Sequence, residues 1–305
     1  MTRIRGCAWC CPVSGGIIEM VRRQRHTNGF TLIELVMVIV LVGILATLTT
    51  GIITAPIDAF QDQSRRAELT DMADNALTRI ARELRQALPN SVRISSTGSE
   101  VHLEFLDAVA GSRYRAAPES SCTTVQIGAE DADCDALDFS AVSDSFDVLG
   151  GLDTSRVTLG GSQLVIYNTG SVGGYDAYGG NNLAAITAVS PTKLSYSRAV
   201  AWPFPIPPDS RQRFFVVNGP VSFVCDTAAG TLRRVAGYAI QAAYPANLAG
   251  AGSNALLASN VAHCQFDYQA GAGTRHGLVT LRISLRDEVG EQVHLLQQVH
   301  VVNAP

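Results

Sequence analysis

The sequence predicts an α+β fold, a long N-terminal helix ahead of an antiparallel β-rich head. Three observations carry this. Residues Phe30 to Thr50 form a run of 21 residues with one charge, Glu34. From Leu69 the apolar positions recur at spacings of three and four: Leu69, Met72, Ala73, Ala76, Leu77, Ile80, Ala81, Leu84 and Leu88. Beyond residue 90 the pattern changes to short period-two segments broken by Gly, Asn, Ser and Pro.

Composition fits one sizeable folded body. The chain has 305 residues, 47% apolar and 16% charged, which excludes a disordered polyelectrolyte. Charge is unevenly placed. Residues 1–29 hold Arg3, Arg5, Arg22, Arg23 and Arg25 against Glu19, leaving 18 basic and 26 acidic residues from 30 onward, a net of −8. An acidic body does not point to nucleic acid as a partner.

The apolar run is long enough for a membrane. At about 1.5 Å per residue, 21 helical residues span about 30 Å, the hydrocarbon thickness of a bilayer. The arginine-rich flank stays cytoplasmic by the positive-inside rule, so the body lies on the far side. A secretory signal places its cleavage site after the apolar core. Here the candidate scissile bond, Gly29-Phe30, precedes it, so cutting would remove the basic leader and keep the helix. Glu34 is costly in this setting, at about 2.5–3.5 kcal/mol on insertion scales. A free α-amino group on Phe30 would be a fitting partner, in the same chain or, better, in a neighbouring subunit.

Gly29, Phe30-Thr-Leu-Ile-Glu34-Leu resembles the N-terminal signal of type IV prepilins and of type II secretion pseudopilins. The resemblance implies the type IV pilin fold, cleavage after Gly29 and N-methylation of Phe30 by a prepilin peptidase, and Glu34 as the residue that sets subunit register. It implies a single-pass inner-membrane protein with a periplasmic head. Its partners would be other major and minor pilins and the inner-membrane assembly platform. The plainer alternative is a membrane anchor with a chance glutamate. The expected division is 1–29 leader, 30–55 membrane and filament-core helix, 56–89 amphipathic helix ended by Pro89-Asn90, and 90–305 head. Met20 to Gly29 suffices as a leader, so residues 1–19 read as a start-site extension. Cys7, Cys10 and Cys11 lack a second ligand pair for a metal site. Gly51 and Pro56 mark an expected kink or melting point.

Within the head, strands are expected at 92–94, 101–106, 163–167, 214–217, 221–225, 231–239, 262–268, 278–286 and 292–302. Loops are expected over 107–162, 168–182 and 241–259. Several segments resemble the O-type minor pilins of the mannose-sensitive haemagglutinin (MSHA) pilus: Arg113-Tyr-Arg115, Ser145-Phe-Asp-Val-Leu-Gly150, Leu164-Val-Ile-Tyr-Asn168, Arg213-Phe-Phe-Val-Val217 and Cys264-Gln-Phe-Asp-Tyr268 among them. That resemblance implies a low-abundance subunit that primes or caps a pilus at its tip.

Candidate chemistry is sparse. The six histidines (His26, His102, His263, His276, His294 and His300) show no HExxH spacing, and no GxSxG elbow or phosphate loop is present. No enzyme and no cofactor is expected. Asp131, Asp133 and Asp135 begin like a calcium loop, but Ala136 and Val142 stand where its glycine and bidentate glutamate belong. No metal is expected there. The four body cysteines allow three pairings. The preferred one is Cys122 with Cys134, closing a local loop, and Cys225 with Cys264, tying two strands. A secretion pseudopilin shares the same N-terminal chemistry. A tip adhesin is the reading from another class, with Tyr175, Tyr178 and Trp202 as exposed ligand-stacking aromatics.

Overall fold

The structure is a computed structural model and describes residues 29–117, 135–139, 145–204, 212–245, 248, 250–271 and 276–303, without the side chains of 50–56. The expected α+β class is borne out. One helix, α1 (Leu32–Leu84, 53 residues), precedes the strands. In order these are β1 (Arg93–Thr97), β2 (Glu100–Tyr114), β3 (Ser145–Leu149), β4 (Gln163–Ile166), β5 (Leu183–Val189), β6 (Lys193–Ser197), β7 (Arg213–Asp226), β8 (Thr231–Ala236), β9 (Ser253–Ala258), β10 (Val261–Gln269), β11 (Gly277–Arg286) and β12 (Gln292–Val301). A single helical turn, α2 (Gly170–Gly173), lies between β4 and β5. The chain divides into two compact units between Ala59 and Phe60. Helical assignment runs unbroken past Gly51 and Pro56, so the helix is not melted there.

In the second unit α1 behaves as its periodicity requires. Leu69, Ala73, Ala76, Leu77, Ile80, Ala81 and Leu84 are buried, and the charged positions face outward. The helix stops at Leu84, earlier than Pro89-Asn90. The reason is a competing set of backbone hydrogen bonds. Leu88 N donates to Leu106 O at 2.9 Å and Ala108 N donates to Gln86 O at 3.2 Å, so residues 86–88 pair with β2 instead of continuing the turn.

β2 and β7 organise the head. They pair antiparallel along most of their length, from Glu100↔Asp226 to Arg113↔Arg213, with irregularities near Leu106 and Ala108. The two ends of this ribbon serve different layers. At one end β1 flanks β2, and β8 then β9 flank β7. This sheet contributes Leu103, Phe105, Val221, Phe223 and Leu232 to the core beneath α1. A second sheet, β10-β11-β12, adds Phe266, Leu281, Ile283 and Val299 to that same core.

At the other end the order β2-β3-β6-β5-β4-β7 closes through the β2–β7 pairing into a six-stranded antiparallel barrel. Its interior is filled by Tyr114, Phe146, Leu164, Ile166, Tyr196, Trp202, Phe204 and Phe214. A closed barrel leaves no free edge, and large aromatic rings are what a small barrel needs to fill its lumen. Phe146 and Phe214 meet edge to face at 5.1 Å between centroids.

Three loop expectations are corrected. The span 107–162 holds the second half of β2 and all of β3. Asp107-Ala-Val-Ala-Gly-Ser112 lacks a clean alternation because irregularities in the β2–β7 register break it. The span 241–259 holds β9, whose pairing with β8 compensates for weak local propensity. The span 168–182 is a packed node rather than a surface loop. Asn168, Ala177 and Asn182 are buried there. Asn168 Nδ2 donates to Pro89 O at 2.6 Å, and its Oδ1 accepts from Ala177 N and Asn182 Nδ2. Asn90 (φ 59°) donates from Nδ2 to Asn168 O and Asn303 O. Gly170 has φ +74°, and a Cβ there would come within 3.1 Å of Asn90 O, so the glycine permits the approach. β5 and β6 are also strands that periodicity alone did not announce.

Candidate functional site

The N-terminal segment is built for an environment other than water. Phe30 is 79% exposed, and Leu32, Ile33, Leu35, Val36 and the apolar residues after them are all exposed. An 18-residue window, Leu32–Thr49, has mean hydropathy 2.7, and none of it is buried. Within it, Thr47 Oγ1 donates to Ile44 O at 2.8 Å and Thr49 Oγ1 to Leu45 O at 2.9 Å, so these hydroxyls need no water.

Thr31 opens the helix. Its Oγ1 accepts from Glu34 N at 3.3 Å, and its carbonyl accepts from Glu34 N and Leu35 N. Thr31-Leu-Ile-Glu34 therefore has the spacing of a capping box, with the threonine at the N-cap and the glutamate three residues on. The sequence reading missed this role of Thr31, although the T-x-x-E template would have found it. Glu34 also sits in the first turn, where the helix dipole favours a carboxylate. Among the described residues its carboxylate has no hydrogen-bond or ion-pair partner. Gly29 lies outside the helix, and a Cβ built there would meet nothing within 4 Å. Among the described residues nothing in the packing requires glycine at 29.

Residues 24–50 match the family model of the prokaryotic N-terminal methylation motif. That motif supports a type IV pilin-like prepilin. No curated protein and no solved structure matches the chain. The matched stretch covers the leader's end, Gly29, Phe30, Glu34 and the apolar helix. A long helix followed by antiparallel sheets is consistent with the type IV pilin fold. The exposed apolar helix and the motif together fit a membrane-anchored prepilin with its head outside the cytoplasm.

The head holds two further features. Cys225 on β7 and Cys264 on β10 are joined by a disulfide, with Cα atoms 6.4 Å apart. Cys7, Cys10, Cys11, Cys122, Cys134 and His26 lie outside the described residues. A cavity of about 210 Å³ is lined by Glu100, His102, Arg233, Tyr244 and neighbours. His102 Nδ1 lies 2.9 Å from the Tyr244 hydroxyl, and its Nε2 lies 3.3 Å from Glu100. Burial pushes the His102 pKa down, and Glu100 opposes this in part. Burial likewise pushes the Tyr244 phenol up to about 12. This is a buried histidine hydrogen-bonded to a tyrosine. His294 on β12 is exposed, with Nδ1 2.6 Å from the Ser284 hydroxyl.

Buried charges elsewhere are matched. Arg93 binds Glu104, which is 1% exposed, through two hydrogen bonds of 3.0 Å, and its guanidinium stacks over Tyr178 at 3.7 Å. Burial raises the Glu104 pKa while Arg93 lowers it. Asp135 is buried against Ser145 and Lys193, the latter at 3.1 Å, so its carboxylate is already paired. Asp131 and Asp133 lie outside the described residues. Among the described residues no group of three or more His, Cys, Asp or Glu could hold a metal ion.

The aromatics considered for ligand stacking are corrected. Trp202 is 5% exposed and Tyr178 is 6% exposed. Tyr175 is half-buried, edge to face with Phe204 at 5.0 Å. Their irregular sequence context resembled a surface loop, but they fill the barrel and its junction with the helix end.

Proposed function

We propose that the chain is a minor type IV pilin of the MSHA kind that starts or caps a pilus at its tip. The observation that carries the pilin part is an apolar helix, exposed throughout, that begins directly after Gly29-Phe30 and carries one carboxylate at Glu34. A prepilin peptidase would cut between Gly29 and Phe30 and methylate the new amine. Glu34 would then pair with the amine of an adjacent subunit, drawing the two into axial register within the lipid. The division at residues 29 and 55 follows from this reading.

Bulk supports the minor role. The six-stranded barrel enlarges the head beyond the sheet that packs on α1, and such a head is tolerated better at a tip than along a thin filament. The MSHA assignment rests on the body segments, among them Arg213-Phe-Phe-Val-Val217 and Cys264-Gln-Phe-Asp-Tyr268. The role is structural and not enzymatic. A secretion pseudopilin would use the same N-terminal chemistry. Loss of surface pili on deletion, with secretion intact, supports the pilin, and the reverse supports the pseudopilin.

The processing step is tested by mass spectrometry of the protein from cells with an active prepilin peptidase. The expected N-terminus is N-methylated Phe30. A chain that keeps its leader there overturns the reading.

A further inference from the structure

A groove of about 490 Å³ lies where the chain leaving α1 meets the β2–β7 ribbon, a volume in the usual range for a ligand site. Pro89 and Val302 line it, with Gly111 and Phe215, which are register partners on β2 and β7. A Cβ on residue 111 would stand 3.1 Å from Cδ1 of Phe215, so the glycine lets the half-buried ring lie across β2.

Three cations share this groove: Arg85 just beyond α1, Arg113 on β2 and Arg213 on β7. No Asp or Glu is among its described lining residues. Arg113 and Arg213 face each other in the ladder, and like charges directly opposite destabilise a sheet. Among the described residues Arg85 and Arg213 have no side-chain hydrogen bond or ion pair. Other arginines of the head are matched: Arg93 by Glu104, Arg115 by Asp147 and Arg234 by Glu83. The groove is therefore cationic on a body that is acidic from residue 30 onward.

The backbone of β2 is open along the same groove. On the side away from β7, β2 pairs with β1 as far as Glu104, bridges Ala87 at Asp107 and takes up β3 only from Arg113. Among the described residues Val109, Ala110 and Gly111 have no strand partner on that side, and all three line the groove. Unpaired edge backbone is a template for another extended chain.

We propose that this groove binds an extended acidic segment of a partner protein. Its backbone pairs with β2 at residues 109–111. Its alternate side chains share one face of the strand, so carboxylates at every second position reach Arg85, Arg113 and Arg213. The open stretch is short, so the guanidiniums supply much of the affinity, each able to fork onto a carboxylate through two hydrogen bonds. A small anion would leave the open edge unused, and a neutral strand would leave the arginines unmatched. An acidic strand answers both. The groove lies wholly in the second unit, and cleavage at Gly29 has no bearing on it.

The test uses the full chain purified in detergent micelles and a fluorescent peptide of alternating glutamate and valine, read by anisotropy. The peptide should bind, and more weakly as salt rises. Glutamine in place of its glutamates should weaken binding by at least about tenfold, because the charge-assisted bonds are lost. Arg85→Gln/Arg213→Gln should weaken the glutamate peptide by at least about tenfold at an unchanged urea midpoint. Two further peptides carry N-methyl groups on one or the other alternate set of backbone nitrogens. On the native protein one of the two should lose binding and the other keep it, since only one edge of the added strand faces β2. Equal binding of the glutamine peptide, or of both N-methylated peptides, overturns the proposal. So does failure of the glutamate peptide to bind at millimolar concentration. Inorganic phosphate or heparin that binds where the peptide stays free would mark a general anion site and overturn it as well.

Discussion

Cys225 and Cys264 are bonded across two sheets that no strand pairing connects: Cys225 belongs to β7 of the large sheet and Cys264 to β10 of the three-stranded one. Both cysteines are buried in the core under α1. The bond closes a loop with a sequence separation of 39, so its main effect is to restrict the unfolded chain. Reduction, or Cys264→Ser, should lower head stability by about 2–4 kcal/mol, seen as an earlier midpoint in urea. Non-reducing peptide mapping should recover the 225–264 linkage. A Cys122–Cys225 peptide would contradict the pairing of the two sheets.

His102 gives the head a pH dependence of known sign. Its folded pKa is depressed below the unfolded value of 6.5, chiefly by burial. Below pH 6.5 the unfolded chain therefore binds a proton that the folded chain refuses. Stability should fall as pH drops from 6.5 toward the lower folded pKa and should be flat above 6.5. His102→Gln should flatten the profile in that window. A wild-type head equally stable at pH 7 and at pH 5.5 would show that the ring is not held neutral by the cavity formed with Glu100 and Tyr244.

The barrel stands on its aromatic interior. Phe214 is fully buried against Phe146. Phe214→Ala should cost about 3–5 kcal/mol, the usual range for emptying such a site. Trp202→Ala should be destabilising too, with loss of the near-ultraviolet circular dichroism of a packed indole. Unchanged stability with Trp202→Ala would return that residue to the list of candidate ligand contacts.

Glu34→Val tests the register role. The variant should insert into the membrane at least as well as the native chain, since the cost of about 2.5–3.5 kcal/mol disappears. It should still be cut after Gly29, whose surroundings are unchanged. Docking onto neighbouring pilins should fail, because an amine would be left unpaired in hydrocarbon. Normal piliation would show that Glu34 is not the register element.

Legibility followed the range of the interaction. The apolar stripe from Leu69 to Leu84 was readable because helical neighbours are three and four residues apart. Strands such as β11 and β12 were readable because Gly277–Arg286 and Gln292–Val301 flank a short turn. The second half of β2 was not. Ala108, Ala110 and Gly111 acquire strand character from Val217, Val216 and Phe215, more than a hundred residues away. The same holds for the Arg234 guanidinium on β8, which reaches both carboxylate oxygens of Glu83 at 2.7 and 3.0 Å across a separation of 151 residues.

By itself the sequence determined the character of the N-terminal segment: that its apolar run suits a bilayer, and that Glu34 is the one charge in that run. Those properties depend on composition and spacing within about two dozen residues, and lipid rather than the rest of the chain is the solvent that acts on them. Only the tertiary structure decided the head. Closure of β2-β3-β6-β5-β4-β7 took Trp202 inside, packing at the helix end buried Tyr178 beside Leu88, and the pairing of residues 86–88 with β2 ended α1 at Leu84. Each of these outcomes is a competition between a local preference and a distant partner for the same backbone hydrogen bonds or the same apolar surface, and the partner enters only when the chain is folded.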